Sequence, residues 1–143
     1  MPHIEVYSFT KSPAGLIYPL VPIIVTHPTN PTLTWSEMAL LDTGADHSLF
    51  PKRIADAMGY DLKIGTNANS KGVSKMPVET WTHPFRIFLV CNQRKNILWK
   101  SKKIEIACVE HDTNPPLLGC SSFLCNFKFT FNYLTKKILI EIP

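Results

Sequence analysis

The chain reads as an all-β domain. Twelve prolines stand against six glycines, β-branched and aromatic residues come in short runs, and Phe127, Phe129 and Phe131 alternate with Lys128 and Thr130. Short runs of this kind between proline- and glycine-rich breaks are strand and turn chemistry. Period-two alternation puts the three phenyl rings on one face. At 143 residues, 45% apolar and 18% charged, the chain can build one sizeable core but not two domains of ordinary size.

Taken in order, Ile4–Phe9 is a first strand and Lys11–Gly15 a turn. Leu16–Val25 is the longest apolar stretch. It is far short of the roughly 20 residues that span a bilayer. Pro19 and Pro22 each remove a ladder donor, so it reads as an edge or irregular strand. Trp35–Leu41 is a strand that runs straight into Asp42-Thr43-Gly44. After it, Pro51 opens and Gly59 closes a short helix with Ile54, Ala55 and Met58 at helical spacing. A polar hairpin or loop around Gly72 follows. Trp81–Val90 and Ile104–Val109 are strands joined by a basic hairpin whose tip holds Lys100, Lys102 and Lys103, with Arg94 and Lys95 nearby. Leu117–Gly119 is a short buried strand, with a brief helix near Ser122–Cys125. A hairpin ends the chain, its second strand Ile138–Ile142.

Charge and cysteine narrow the function classes. A net charge of +4 is a mild excess, and the lysine cluster reads as a solvated tip with no nucleic-acid partner. Four cysteines scattered over the second half read as reduced, mostly buried thiols. The opening MPHIEVYSF has neither the basic region nor the apolar run of a secretory signal. The expectation is a cytoplasmic protein with no membrane partner.

The strongest chemical signal is Leu40-Leu41-Asp42-Thr43-Gly44-Ala45-Asp46. An aspartate at the end of an apolar strand is costly to desolvate, which suits a carboxylate at the mouth of a cleft. Gly44 lets backbone approach closely, and Thr43 can hold a loop by hydrogen bonding. On its own the tripeptide is ordinary turn chemistry.

The wider context changes this. LLDTGADHSLFPKRIADAMGYDL, followed from Leu117 by LLGCSSFLCNFKFTFNYLTKKILIEI, resembles the retropepsin-like aspartic proteases. The order of strand, Asp-Thr-Gly, glycine-containing hairpin (Ser70–Trp81), apolar-apolar-Gly, helix and final strand is met from about residue 16 onward. The resemblance implies a closed, barrel-like all-β fold with one or two short helices over residues 16–143. Residues 1–15 are left as a strand or extension with no clear counterpart: an added strand, a dimer-interface strand or a processed leader. It also implies an aspartic endopeptidase acting on extended polypeptides with apolar residues flanking the cut. No metal or organic cofactor is needed. Its substrates would include its own precursor, and it would sit in the cytoplasm or in a viral or retroelement particle.

An aspartate pair hydrolyses a peptide bond when one carboxylate takes a proton from water and the other donates one to the carbonyl. Two such groups roughly 3 Å apart share a single proton. One Asp-Thr-Gly is present, so the second aspartate must come from a second copy, which makes the working unit a homodimer with Asp42 of each subunit on the two-fold axis.

The resemblance assigns further roles. Thr43 cross-braces the two loops, the Gly44 carbonyl meets the substrate main chain, and the Asp46 carboxylate accepts a substrate N–H. Gly72 and Val73 form the hairpin tip that closes over substrate, and Leu117 and Leu118 line an apolar pocket. Ala45 stands where pepsin-like chains carry a hydroxyl, which shifts the expected working pH away from strongly acidic. One departure is plain. Retroviral members place an arginine after the apolar-apolar-Gly run to pair with the acid after Asp-Thr-Gly-Ala. Here the residue is Cys120, so Asp46 needs another donor, a main-chain N–H being the candidate.

Other classes fit less well. Cys108, His111, Cys120 and Cys125 offer four soft ligands on paper, but Cys108 falls on an alternating strand and the other two cysteines flank the expected helix. Gly-x-Ser-x-Gly, P-loop and dinucleotide fingerprints are absent from the sequence. His47, five residues past Asp42, is the histidine placed to touch the cleft. The rival reading within the same fold is a dimerisation or peptide-binding module with little proteolysis.

Overall fold

The structure, a computed structural model, describes residues 3–71 and 77–143. Among these the chain forms thirteen strands, one α-helix and two 3-10 turns. The strands are β1 (His3–Ser8), β2 (Thr10–Lys11), β3 (Ile17–Tyr18), β4 (Leu20–Thr26), β5 (Thr34–Leu41), β6 (Leu49–Phe50), β7 (Thr66–Lys71), β8 (Pro77–Val90), β9 (Ile97–Lys100), β10 (Ile104–Cys108), β11 (Leu117–Leu118), β12 (Lys128–Asn132) and β13 (Lys137–Ile142); the helix α1 is Lys52–Ala57. Among the described residues no helix is long and apolar enough to cross a membrane.

The large sheet runs β10-β6-β11-β5-β4-β8-β7, and β10 pairs back onto β8. That last pairing closes six strands into a ring, which removes the edges an open sheet would expose. Strand β8 makes the closure possible. Along its 14 residues it meets β7 over Pro77–Thr82, β10 over Trp81–Phe85, β4 over Arg86–Leu89 and β9 over Phe88–Val90. Its residues from Trp81 to Val90 alternate between buried and half-buried, so Phe85, Ile87 and Leu89 fill the ring interior with Val21, Ile23 and Val25 of β4.

The terminal strands form a second sheet, β1-β13-β12. Ile138, Ile140 and Ile142 turn inward with Phe129 and Phe131, and a run of aromatic contacts from Trp99 through Phe123 and Phe127 to Phe129 joins this layer to the ring. The Tyr7 hydroxyl donates to the Val90 carbonyl at 2.6 Å, tying β1 to the end of β8. The N-terminal strand is thus built into the layer, and the boundary expected between residues 15 and 16 falls inside the β2–β3 hairpin.

Three local expectations are corrected. The stretch read as an edge or irregular strand is irregular in that it breaks at Pro19, but Leu20–Thr26 is no edge: β5 pairs with all of it and β8 joins from Ile23 onward, which leaves Leu20, Val21 and Pro22 with a ladder on one side. Of the basic residues expected at a hairpin tip, Arg94 and Lys95 do lie in the β8–β9 connection, whereas Lys100 lies within β9. The expected C-terminal helix is reduced to a 3-10 turn at Leu124–Asn126. The helix α1 is as punctuated in the sequence: Pro51 caps it, Gly59 follows at φ +78°, and Ile54, Ala55 and Met58 are buried.

Candidate active site

Strand β11 lies between β5 and β6, parallel to β5 with Leu117 opposite Leu40 and Leu118 opposite Leu41, and antiparallel to β6. The chain leaving β5 must therefore pass over the end of β11 to reach β6, and the segment that does so is Asp42–Ser48. The ladder holds the start of this loop. The Leu40 N–H donates to Pro116 O at 2.8 Å, and the Asp42 N–H donates to Leu118 O at 3.0 Å.

At the loop's head the Gly44 N–H donates to Asp42 Oδ1 at 3.0 Å, which aims the carboxylate. A Cβ at position 44 would sit 3.3 Å from that same oxygen, so a side chain there presses on the acid directly. Asp42 is half-buried, and Thr43 and Gly44 are exposed beside it.

The loop's far side is fastened to residues 119–122. Cys120 N donates to Ala45 O and Ser121 N to Asp46 O, both at 2.8 Å. The Cys120 thiol donates to the Thr43 carbonyl at 3.5 Å. Buried Ser48 accepts from the Gly119 N–H at 3.0 Å, its own N–H donates to Ser122 Oγ at 3.2 Å, and the two hydroxyls are hydrogen-bonded to each other. Gly119 is where the two segments cross. A Cβ there would lie 2.4 Å from the His47 carbonyl carbon and oxygen, a distance no side chain tolerates.

Beside the loop is a cleft of about 620 Å³, lined by Ala45 and His47 of the loop, Leu117 of β11, Thr80 and Thr82 of β8, and Glu105 of β10, among others. It lies under the β7–β8 hairpin, which begins at Thr66 and so starts lower than the Ser70–Trp81 expectation. The expected tip residues Gly72 and Val73 lie outside the described residues.

The sequence-derived set therefore divides. Asp42, Thr43, Gly44, Ala45 and Asp46 share one loop, and Leu117 and Ala45 line the cleft. Leu118 does not: it is fully buried in the core, because successive strand residues face opposite ways and Leu117 has taken the cleft face. Among the described residues Asp46 does not meet the main-chain donor expected for its carboxylate. Its carbonyl takes the Ser121 N–H and the Ser121 hydroxyl, and among the described residues the exposed carboxylate has no ion-pair partner. The Ser48–Ser122 pair and Glu105 were not singled out in advance. The signal for the first was the Ser121-Ser122 pair directly after Cys120, the residue that stands in the place of the cation. For Glu105 it was an acid at an outward position of an alternating strand.

One further cluster positions the site. Arg53 of α1 donates through Nε to Glu37 Oε1 at 2.8 Å, through a second nitrogen to Glu37 Oε2, and through its remaining N–H groups to the carbonyls of Asp112 at 2.7 Å and Asn114 at 2.9 Å. It thereby anchors the approach to β11. Burial pushes the Glu37 carboxyl up, but the Arg53 and Trp35 hydrogen bonds outweigh that and hold it below its ordinary value of 4.5. Of the cysteines, Cys108 is fully buried in β10, where burial pushes its thiol up to about 12, so it is an inert packing group.

Neither the protein-family models nor the curated proteins compared with this chain give a match. Solved structures do. A retropepsin-like aspartic protease from Rickettsia conorii superposes with a TM-score of 0.65 at 18% identity, over 99% of this chain and 94% of that one. EIAV protease in complex with the inhibitor HBY-793 aligns at 22% identity and a TM-score of 0.46, over 71% of this chain and 81% of its own. The retroviral protease-like domain of Ddi1 from Leishmania major aligns at 12% identity and 0.47, over 87% and 94%. The first of these, with the closed ring and the β5–β11–β6 crossing, defines the class: an all-β chain with the retropepsin-like fold.

Proposed function

We propose that this chain is an aspartic endopeptidase of the retropepsin type, active as a homodimer in which Asp42 of each subunit meets on the two-fold axis. The observation that carries the reading is the Asp42 carboxylate. It stands at the end of an apolar strand, one oxygen fixed by the Gly44 N–H, on an exposed loop next to a cleft wide enough for a side chain of an extended polypeptide.

One carboxyl cannot be base and acid in the same step, so the chemistry calls for its twin. With two in place, one carboxylate takes a proton from water as the water oxygen bonds to the peptide carbon, and the other carboxyl gives its proton to the carbonyl oxygen. Collapse of the tetrahedral species then breaks the C–N bond, the amine leaves with the pair's proton, and one hydroxyl of the gem-diol returns a proton to the pair as it becomes the new carboxyl's C=O. The exposed Thr43 braces one loop against the other. Ala45 and Leu117 receive apolar side chains, and the exposed Asp46 carboxylate receives a substrate N–H.

The test is incubation with an unfolded protein between pH 4 and 7, with Asp42→Asn as control. Cleavage by the wild type and a loss of about a thousandfold or more in the variant, the scale of removing an acid–base group, are expected. Cleavage by neither selects the peptide-binding module of the same fold. The solution mass should rise to that of a dimer, or stay there, with a tetrahedral-mimic aspartic protease inhibitor. A monomer indifferent to the compound contradicts the shared site.

A further inference from the structure

Hydrogen bonds already made inside the cleft fix what it can offer to an incoming side chain. The Ser121 hydroxyl has one proton, and the Asp46 carbonyl, a pure acceptor 2.7 Å away, takes it. The same oxygen lies 2.9 Å from His47 Nδ1. It can only accept there, so Nδ1 carries the hydrogen. In the neutral ring Nε2 is then a lone pair, and His47 lines the cleft as an acceptor.

On β10, Glu105 contributes an exposed carboxylate, again acceptor only. The Thr80 hydroxyl is turned to the Ala68 carbonyl at 3.3 Å. Among the described residues no lysine or arginine lines the cleft, although the chain as a whole carries +4. Thr82 and the Ser48–Ser122 pair add neutral hydroxyls, and Glu105 gives the described wall its formal charge, negative in a protein of the opposite sign. Between the polar groups lie Ala45, Leu49, Ala68, Ile104 and Leu117, an apolar surface suited to a run of methylenes.

We propose that this cleft selects a lysine or arginine side chain of the polypeptide, its stem on the apolar lining, its cation on Glu105, and one N–H on His47 Nε2. An acidic side chain would meet Glu105 as a like charge and find no donor on His47. The inference rests on the endopeptidase reading and sharpens it, from apolar residues flanking the cut to apolar residues with a cation beside them.

The test is a scan of a peptide the protein cleaves, each position near the cut replaced in turn by Lys, Arg, Gln, Glu and Leu. At one position Lys or Arg should raise kcat/KM about two- to fivefold over Gln, the scale of an exposed ion pair, and further over Glu. The preference should fade as ionic strength rises from about 0.05 to 0.5 M. Glu105→Gln should level Lys with Gln at that position, and Glu105→Lys should turn the preference toward Glu. Melting curves of both variants establish that they are folded. If cleavage proceeds and no position favours a cation, or Glu105→Gln leaves the preference intact, the inference is overturned and the endopeptidase reading stands. If the wild type cleaves no peptide and matches Asp42→Asn, the reading itself falls and the inference with it.

Discussion

Between Asp42 and Ser48 the chain buries one side chain, Ser48, and fixes its backbone through hydrogen bonds to residues 118–122, whereas β13 buries Ile138, Ile140 and Ile142 and makes few polar side-chain contacts. The two regions are similar in length and differ in what keeps them in place. Apolar packing is graded: each methylene removed takes away contact and area, and neighbours relax partway. Hydrogen-bonded crossings are not graded, because a donor has a partner or is orphaned and a backbone approach either fits or clashes. The loop that carries the Asp42 carboxylate is held in the second way, and the C-terminal strand in the first.

The largest effect is the loss of hydrolysis in Asp42→Asn, which should leave the thermal midpoint nearly unchanged because Asp42 contributes little burial. Ile140→Ala removes a fully buried side chain and should cost about 3 kcal/mol of stability in denaturant unfolding, while the folded fraction keeps the wild-type KM. Gly119→Ala should cost about 2 kcal/mol, less in stability than the core deletion yet more in activity. The His47 backbone has to move, and Asp42–Ser48 moves with it. If Gly119→Ala lowers stability and leaves kcat/KM per folded molecule untouched, the two regions do not differ in the way described.

The smallest expected effect concerns the Arg53–Glu37 clamp on the approach to β11. Glu37 is held below its ordinary 4.5 in the folded chain, so its contribution is fully present above the unfolded value. It is lost as pH falls below about 4.5 and through the lower folded value. Glu37→Gln should flatten the acid limb of the stability curve in that window and leave the neutral limb displaced but parallel. An unchanged acid limb would remove Glu37 from the account.

Much of this was legible in the sequence for identifiable reasons. Asp42-Thr43-Gly44 follows an apolar strand with no spacer, Pro51 and Gly59 bracket α1, and the phenylalanines of β12 alternate without interruption. What could not be read depends on contacts distant in sequence or on strands too short to phase. Two residues do not reveal which of Leu117 and Leu118 faces inward. That choice is made by β5 and β6 on either side. Strand β9 was hidden because the register shifts between Leu89 and Val90, which disrupts the period that marks a strand. The crossing at Gly119 pairs residues 72 positions from His47, and a glycine after two leucines carries no sign of what passes over it.

Strand β8 has a mechanical consequence. Its first half forms one lip of the groove, with Thr80 and Thr82, and its second half is a stave of the closed ring, with Phe85, Ile87 and Leu89. No break separates them. A substitution that repacks the ring interior around Phe85, Ile87 or Leu89 is therefore transmitted along one uninterrupted strand to the groove wall at Thr80 and Thr82.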